Sequence, residues 1–465
     1  MYENIFTYKG WLGMESGGHI YLYNVADQEV AVFSSRTSFE AAKESLATVA
    51  VAPDPDFTHS PSFSAITLTT KCNMECPYCY VKPVKGIGHM SVETARMAVR
   101  GLAEQADGEL VIYAWGGEPT QNPEALLAMA GEAAQFPHVK MLLISNGVMD
   151  GDLLAKLLSF DNMVFQISFD GLDTEGIQKP LKTKASSLEG VLSSMETISR
   201  LSRRVSLRAT VSRRNIEELR QCLIPTAMSF TNRVMIEHLH TFNGRAVALR
   251  HEAPLVEDYV NLIFDLIPSA EKRGVHVKVL PLDHLRAGGP NDKMNFLNVL
   301  SDGSITVSNA IIHSSHQDFA DLCIGHLDND QIVFDHERND VLTRRYLDNY
   351  REQCADCFAR TICRGSVQRY LFITHDSLTQ WDDLRCQYFK GILERWMRET
   401  VTAVAAAMKE WEASEGVVRL IPPKDKIHYP MFVMEEGLSL SYKPLPGTPR
   451  AKTITDELPL SHRSS

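Results

Sequence analysis

The chain has 465 residues, of which 44% are hydrophobic and 23% charged, and this composition excludes a disordered or fibrous protein. At roughly 150 residues per domain, the length predicts about three domain-sized units. The net charge of −11 and the pI near 5.8 argue against general nucleic-acid binding, which requires an excess of lysine and arginine. No apolar run approaches the ~18 residues of a membrane span, and no signal-peptide pattern opens the chain. We therefore expect a cytoplasmic protein with reduced thiols.

Residues 1–62 predict a small N-terminal module that contains both strands and a helix. The segments HIYLYNV and EVAVFS have the pattern of short strands, and SFEAAKESLATVA is helical. The stretch APDPDFTHSPS, rich in proline, aspartate and serine, predicts a linker to the next part of the chain.

A different pattern begins at residue 64, where strand-like runs alternate with helical stretches. The six runs are SAITLTT, ELVIYAW, VKMLLIS, NMVFQISF, RVSLRATV and RVMIEHL. Such alternation predicts an α/β fold in which right-handed βαβ units build a parallel sheet. Six units are too few for the eight that close a full barrel, so we predict an open, partial (β/α)6 barrel.

The rest of the chain divides into two further parts. After residue 286 the pattern turns irregular, and a turn-plus-strand, SDGSITVSN, precedes a cysteine-rich stretch. A helix with apolar residues at steps of three and four follows at about 387–413, and a proline-containing tail comes after it. The predicted domains are therefore the N-terminal module 1–62, the barrel 63–285, a cysteine-rich domain 286–395, and a helix with its tail 396–465.

Seven of the nine cysteines fall into two groups, and tight spacing in a cytosolic chain indicates metal ligation before disulfides. Cys72, Cys76 and Cys79 lie in one loop directly after the first barrel strand, where barrel folds place their chemistry. Three thiolates leave one position of a four-iron cluster or of a tetrahedral zinc site open. The alternatives are zinc with a fourth ligand such as His89, or three buried small hydrophobic residues.

The loop CNMECPYCY resembles the CxxxCxxC loop of the radical S-adenosylmethionine (SAM) enzymes, with the aromatic Tyr78 just before the third cysteine. The resemblance implies that Cys72, Cys76 and Cys79 hold a [4Fe–4S] cluster whose open iron binds SAM. It further implies that one-electron reduction releases a 5′-deoxyadenosyl radical, which abstracts a hydrogen atom from the substrate.

The next four strands end in motifs that are similar to the cofactor-binding motifs of this family. In chain order they are GGEP, SNG, SFDG and RAT. In the family, GGEP holds the methionyl amine of SAM, the polar side chains of SFDG bind the ribose of SAM, and RAT approaches the carboxylate of SAM. Any one of them alone could be a turn or a surface ion pair, but together they occur in order at successive strand ends. The residues that the resemblance assigns to SAM are Tyr78, Gly116, Gly117, Glu118, Ser145, Asn146, Ser168, Asp170 and Arg208.

The second group consists of Cys354, Cys357, Cys363 and Cys386. Four thiolates saturate either a four-iron cluster or a structural zinc site, and their spacing does not choose between the two. The segment resembles the SPASM extension of radical SAM enzymes that modify peptides, which usually carries seven cysteines for two auxiliary clusters. Val367 replaces the usual fourth local cysteine, and Ser308 and Asn309 stand where another ligand is expected. The resemblance therefore implies a single auxiliary [4Fe–4S] cluster.

Two further cysteines and two histidines are candidate catalytic residues. Cys222 and Cys323 are either small buried hydrophobic residues or hydrogen-atom donors, as in peptide epimerases of this superfamily. His238 and His240 lie at the end of the sixth strand, and their alternation puts both on one face. They are either satisfied core histidines or catalytic groups.

The sequence thus predicts a radical SAM oxidoreductase that matures a ribosomally made peptide by a crosslink or another modification. The expected partners are the precursor peptide and a flavodoxin- or ferredoxin-type reductant, with no nucleic acid and no membrane. The alternatives are a peptide epimerase, a radical enzyme for a small molecule, and a non-catalytic iron–sulfur scaffold, against which the cofactor-binding motifs argue. Sulfatase maturation is not expected, because the acid that follows a cysteine in those relatives is absent.

Overall fold

A computed structural model describes residues 4–26, 29–46, 48, 60–81, 88–172, 187–201, 205–241, 244–286, 296–363, 383–409, 417–421 and 439–443. These residues form two sheets, one of six strands and one of eleven. Every helix in the described ranges is too short or too polar to cross a membrane.

The N-terminal part is an antiparallel meander followed by a short helix. Its elements are β1 (Ile5–Tyr8), β2 (Trp11–Ser16), β3 (His19–Asn24), β4 (Glu29–Phe33) and α1 (Arg36–Ala42). The predictions of β3 and β4 are confirmed, whereas β1 and β2 were not predicted. The helix begins earlier than predicted because the hydroxyl of Ser35 accepts a hydrogen bond from the Ser38 N–H and caps it.

The larger sheet contains the six predicted parallel strands in sequence order. They are β5 (Phe63–Thr69), β6 (Leu110–Gly116), β7 (Val139–Ser145), β8 (Met163–Ser168), β9 (Val205–Val211) and β10 (Arg233–His238). The helices of this part are α2 (Val92–Gln105), α3 (Pro123–Ala133), α4 (Gly151–Leu158), α5 (Leu188–Leu201), α6 (Ile216–Phe230) and α7 (Val256–Glu271). A short parallel strand β11 (His276–Lys278) and the helix α8 (Leu280–Arg286) end this part. The prediction of a parallel α/β barrel fold is confirmed.

Burial alternates along the barrel strands and separates two faces. In β9 the residues Val205, Leu207, Ala209 and Val211 are buried, whereas Ser206, Arg208 and Thr210 are partly exposed. Because side chains of a strand point alternately to opposite faces, Arg208 and Thr210 lie on the face away from the helices. Polar and charged residues of neighbouring strands share that face.

The sheet continues beyond β5 into the cysteine-rich part. The strand β12 (Phe296–Val299) runs parallel to β5, and the antiparallel strands β13 (Ser304–Thr306), β14 (Cys323–Asp328) and β15 (Gln331–Phe334) follow. The helices here are α9 (Phe319–Leu322), α10 (His336–Gln353), α11 (Arg360–Cys363) and α12 (Asp383–Lys409). The two parts of the chain therefore share one continuous sheet.

Strands from the C-terminal part return to the N-terminal sheet. The strand β16 (Val417–Ile421) pairs antiparallel with β4, and β17 (Ser439–Lys443) pairs with β16. Residues 52–59 of the predicted linker and residues 444–465 of the predicted tail lie outside the described residues.

Both faces of the N-terminal sheet are covered. One face packs Trp11, Leu22 and Phe33 against Phe39 of α1. The other face contributes residues such as Tyr23 to the main core, where the Tyr23 ring lies 4.7 Å from the Trp396 ring of α12. The N-terminal sheet is therefore built into the core of the barrel part.

Asn298 of β12 connects the two parts of the large sheet through three buried hydrogen bonds. Its side-chain oxygen accepts a hydrogen bond from the Thr67 hydroxyl at 2.8 Å, and its amide donates to the carbonyls of Ser308 and Ile311, each at 2.8 Å. Asn298 is fully buried, so the amide is satisfied by protein groups alone.

We expect Asn298→Ala to lower the free energy of unfolding by about 2 kcal/mol or more, because buried acceptors lose their donors. Denaturant unfolding of the reconstituted protein measures this. Thr197→Ala, which removes a hydrogen bond on the exposed side of α5, serves as a control that changes the stability by less than about 0.5 kcal/mol. An equal effect of the two variants would contradict the assigned role of Asn298.

Candidate active site

The three cysteines of the first group lie in the loop that follows β5. Each is partly exposed and none forms a disulfide. The Cys79 N–H donates to the Cys76 carbonyl at 3.3 Å, and the Met74 N–H donates to the Cys72 sulfur at 3.4 Å. Burial raises the pKa of the Cys79 thiol, and the nearby Arg245 guanidinium opposes this by lowering it.

The end of β6 holds this cysteine loop in place through its backbone. The Gly117 N–H donates to the Thr69 carbonyl at 2.8 Å, and the Glu118 N–H donates to the Lys71 carbonyl at 2.9 Å. A Cβ atom on Gly116 would lie 2.2 Å from the Thr69 oxygen, and Gly116 also has a φ of +137°. Only glycine fits this close approach and this backbone conformation.

Glu118 points into a buried set of donors beside the loop. The side chain is 1% exposed. One carboxylate oxygen accepts hydrogen bonds from the hydroxyls of Thr120 and Ser145, both at 2.9 Å, and the other accepts from the Asn146 N–H at 2.8 Å. Burial raises the pKa of Glu118, and these hydrogen bonds oppose the rise because they stabilise the charged form.

Asn146 connects the end of β7 to the cysteine loop. Its side-chain amide donates to the Asn73 side-chain oxygen at 2.7 Å and lies 4.0 Å from the Cys72 sulfur. The Asn73 amide in turn donates to the Val148 carbonyl at 3.0 Å. Asn146 is thus brought against the first cysteine of the loop.

Asp170, just after β8, contacts the other side of the cysteine loop. It accepts a hydrogen bond from the Tyr78 hydroxyl at 2.5 Å and one from the Thr210 N–H at 2.7 Å. Burial and the Asp170 charge raise the pKa of Tyr78, so this hydroxyl stays protonated and donates. Ser168 pairs with Arg208 across β8 and β9, which places the assigned SAM-binding residues of these strands side by side.

Arg208 forms an ion pair with Glu237 of the neighbouring strand. The Nε atom of Arg208 lies 3.1 Å from a Glu237 carboxylate oxygen that also lies 3.1 Å from His240 Nε2. Burial opposes ionisation of both partners, but their mutual attraction prevails. The pKa of Glu237 therefore lies well below its usual range, and that of Arg208 lies above. Glu237 was not predicted as a site residue, and the one available signal was its alternation with the buried Ile236 on β10.

A small pocket of about 50 Å³ lies between the cysteine loop and the ends of β9 and β10. Its lining consists of Pro77, Tyr78, Thr210, Ser212, Arg214, Leu239, Leu249 and Glu252. The lining combines the ring of Tyr78 and the apolar side chains of Pro77 and the two leucines with hydroxyl groups and charged groups. Such a lining suits a flat heteroaromatic ring that carries polar edges.

The second group of cysteines lies at the junction of α10, α11 and α12. Cys354 is the residue that caps the C-terminus of α10, Cys363 ends α11, and Cys386 lies in the first turn of α12. Burial and the neighbouring thiols of Cys363 and Cys357 raise the pKa of Cys354 to about 12. The thiols of Cys357 and Cys363 are therefore close enough to that of Cys354 to interact with it electrostatically.

The segment where the sequence has Ser308 and Asn309 is fixed by hydrogen bonds. The indole N–H of Trp115 donates to the Asn309 carbonyl at 2.7 Å, and the Ala310 N–H donates to the Ser308 hydroxyl at 2.9 Å. Val367 lies outside the described residues.

Cys222 and Cys323 lie on elements that carry none of the seven grouped cysteines. Cys222 is on α6, and burial and the Glu218 charge raise the pKa of its thiol. Cys323 begins β14, and its sulfur lies 3.5 Å from the Gly325 carbonyl. Their role as hydrogen-atom donors remains a prediction.

The described residues were also compared with the geometry of a site for a single metal ion. In the described ranges, no three His, Cys, Asp or Glu side chains converge so as to bind one ion. The Nδ1 atom of His89 lies 3.1 Å from the Thr69 hydroxyl, and the alternative in which His89 completes a zinc site stays a prediction.

Comparison with known proteins supports the same class. The sequence profile of the radical SAM superfamily matches residues 66–223. The AdoMet-dependent heme synthase of Methanosarcina barkeri is 24% identical over 166 residues, which cover 35% of this chain and 46% of that protein. An uncharacterized protein of Methanocaldococcus jannaschii is 23% identical over 159 residues, which cover 34% of this chain and 55% of that protein. The chain thus matches about half the length of these relatives.

Solved structures share the fold at low sequence identity. The structure of anSMEcpe with bound AdoMet and Cp18Cys peptide has a TM-score of 0.57 at 16% identity, over 74% of this chain and 100% of that one. Streptococcus suis SuiB bound to precursor peptide SuiA has a TM-score of 0.55 at 10% identity, over 82% of this chain and 100% of that one. Residues 66–223 thus form a radical SAM domain. SAM and [4Fe–4S] clusters are the cofactors of this class.

Gly116→Ala tests whether the end of β6 holds the cysteine loop. We expect the variant to lose most of its iron after reconstitution, because the new Cβ displaces the Thr69 carbonyl and with it the loop. Iron and sulfide analysis measures this. Gly131→Ala is the matched control. Gly131 lies within α3, and a Cβ atom there would be 3.8 Å from its nearest neighbour, the Phe160 ring, which is an ordinary van der Waals contact. Full iron content in Gly116→Ala would contradict the role of this close approach.

Proposed function

We propose that the chain reductively cleaves SAM at a [4Fe–4S] cluster held by Cys72, Cys76 and Cys79, and modifies a ribosomally made peptide. The observation that carries the proposal is that the ends of β6, β7 and β8 all contact one cysteine loop, through Glu118, Asn146 and Asp170. A scaffold that only held a cluster would not require these polar contacts. When bound and reduced, the cluster and SAM supply a 5′-deoxyadenosyl radical that abstracts a hydrogen atom.

The polar residues around the loop have separate roles in this proposal. Glu118, buried and already bound by four donors, would accept the methionyl ammonium. Ser168 and Asp170 would bind the ribose hydroxyls, and Arg208 would approach the carboxylate. The pocket beside Tyr78 would then take the adenine, since it adjoins the same side of the loop.

The second group of cysteines would hold one auxiliary [4Fe–4S] cluster. Its proposed ligands are Cys354, Cys357, Cys363 and Cys386, whose thiolates leave no iron free for substrate. Lys390, one turn after Cys386 on α12, interacts electrostatically with Cys354, which supports a shared site. The cluster would then exchange electrons with a flavodoxin- or ferredoxin-type reductant or with the reacting centre.

The strand β1 is the proposed recognition element for the peptide. It is an edge strand of the described N-terminal sheet. The Asn4 carbonyl accepts from the Glu15 N–H at 2.9 Å, and the register Ile5↔Met14 follows. Because hydrogen-bonded pairs alternate in an antiparallel ladder, the N–H and C=O groups of Ile5 and Thr7 point to the outer edge. An extended peptide can add a strand there.

Metal and cofactor analysis tests the catalytic centre. Two four-iron clusters predict roughly eight iron and eight sulfide per chain after anaerobic reconstitution. The Cys72→Ala, Cys76→Ala and Cys79→Ala triple variant is expected to keep about half of the iron and to form no 5′-deoxyadenosine. Stoichiometric zinc with about four iron would contradict the auxiliary cluster, and 5′-deoxyadenosine from the triple variant would contradict the catalytic one.

Thr7→Pro tests peptide capture at β1. Removal of the whole module would uncover residues such as Tyr23 in the main core, so a point change is the sharper experiment. The probes are synthetic peptides for every short open reading frame that flanks the gene. Proline at position 7 removes only an N–H that points away from β2. We therefore expect the affinity for the peptide that binds the wild type to fall about tenfold, and fluorescence anisotropy measures this affinity. Thr7→Val keeps this N–H and is the control; equal affinities of the two variants would exclude strand addition at β1.

A further inference from the structure

A short 3₁₀-helical segment after β10, Gly244–Glu252, is docked on the cysteine loop. The Arg245 N–H donates to the Cys79 carbonyl at 3.0 Å. A Cβ atom on Gly244 would lie 2.5 Å from the same carbonyl oxygen, and the φ of Gly244 is +59°, so this close approach requires glycine. The segment therefore lies directly against the backbone of a proposed cluster ligand.

The two sides of this helical segment have different surroundings. On its inner side Ala246 is buried, and Leu249 and Glu252 line the small pocket beside Tyr78. The exposed residues, which form its outer side, are Arg245, Val247, Ala248, Arg250 and His251. The segment thus presents basic groups to solvent next to the cysteine loop.

The loop after β9 adds two arginines to this outer side. The Arg213 N–H donates to the Glu252 carbonyl at 2.8 Å, and Arg213 Nε donates to the Ala253 carbonyl at 2.7 Å. The Nε atom of Arg214 donates to the Glu252 carboxylate at 2.7 Å, and both arginines are exposed. We call the four exposed residues Arg213, Arg214, Arg245 and Arg250 the arginine patch.

The arginine patch carries positive charge on a chain whose net charge is −11. Among the described residues, its ion pairs are those of Arg214 with Glu252 and of Arg245 with Glu75, whose carboxylate lies 3.7 Å away. Two carboxylates against four guanidinium groups leave an excess of positive charge. Val247, which is 52% exposed, adds an apolar contact point among these charges.

This combination suits a small acidic protein that delivers an electron. The rate of electron transfer falls steeply with distance, so a carrier has to dock where the cysteine loop approaches the surface. Electron-transfer complexes bury little area, and their speed depends on complementary charges rather than on a large apolar interface. A positive patch on an otherwise acidic protein attracts an acidic carrier to this one place.

We propose that the arginine patch is the docking surface for an acidic one-electron carrier protein of the flavodoxin type, which reduces the cluster held by the cysteine loop. The proposal rests on the proposed function and adds to it the surface at which the electron enters. The reduced carrier loses one electron and the oxidised cluster gains it, and no covalent bond forms or breaks.

The test compares two reductants, photoreduced flavodoxin and dithionite, in the cleavage of SAM by the reconstituted protein. We expect the Arg213→Glu, Arg250→Glu double variant to lower kcat/KM for flavodoxin at least about tenfold at low ionic strength, because repulsion replaces attraction. The rate of 5′-deoxyadenosine formation measures this. Dithionite needs no docking surface, so the dithionite-driven rate and the iron content remain those of the wild type.

Two further double variants serve as controls. Arg213→Lys with Arg250→Lys keeps the charge of the arginine patch and is expected to retain most of the wild-type kcat/KM. Arg200→Glu with Arg233→Glu changes the net charge by the same amount at the other end of the barrel. Arg200 is exposed in the last turn of α5, and Arg233 is exposed at the start of β10. Arg250→Glu alone is the second variant should the first double variant fail to fold.

A binding measurement gives a readout that does not depend on turnover. Isothermal titration calorimetry of the cluster-loaded protein with oxidised flavodoxin is expected to show a wild-type affinity that falls with added salt and an affinity about tenfold weaker in the Arg213→Glu, Arg250→Glu variant.

Three results would overturn the proposal. They are an unchanged flavodoxin affinity in the patch variants, an equal loss in the Arg200→Glu, Arg233→Glu variant, and a loss of peptide affinity with flavodoxin affinity intact. The last result would assign the arginine patch to the peptide. A wild type that forms no 5′-deoxyadenosine with dithionite would instead contradict the proposed function itself.

Discussion

The hydrogen bonds from Gly117 and Glu118 to the carbonyls of Thr69 and Lys71 are the constraint on which the site depends. They dock the end of β6 on the loop that carries the three cysteines. The same turn places the Glu118 carboxylate among the donors of Thr120, Ser145 and Asn146. One backbone arrangement thus positions both the proposed cluster ligands and the proposed ammonium acceptor. Gly116 and Gly117 therefore allow the end of β6 to approach the cysteine loop closely, in addition to leaving space for a ligand.

The barrel could be predicted from the sequence because its strands are short apolar runs that alternate with amphipathic helices. The run VKMLLIS coincides with β7, and the other five strands differ from their predicted runs by only one or two residues at their ends. The strands β1 and β2 were missed because Gly13 and the Lys9–Gly10 turn break up their pattern. The helix α10 was missed because it is strongly polar, and its burial comes from a few residues such as Leu342 and Tyr346.

The site residues could be predicted where a motif occupies consecutive positions of the sequence. They could not be predicted where a contact joins residues that are far apart in the sequence. Glu237 and Asn298 stand in unremarkable segments, and their importance comes from Arg208 on the neighbouring strand and from Thr67 on β5. Alternation along β10 already indicated that Glu237 and Ile236 face opposite sides. Only the register of β9 and β10 shows that Glu237 meets Arg208, which explains why the acid was not recognised.

In the function that we propose, the loop after β5 holds a [4Fe–4S] cluster with one iron open to SAM. The second group of cysteines holds a cluster in which every iron is ligated by protein. Electron paramagnetic resonance of the reduced, reconstituted protein tests this most directly, with and without SAM. Two four-iron signals are expected, of which SAM changes one and leaves the other unaltered. A spectrum that SAM leaves unchanged, or in which it changes both signals, would contradict this assignment of the two cysteine groups.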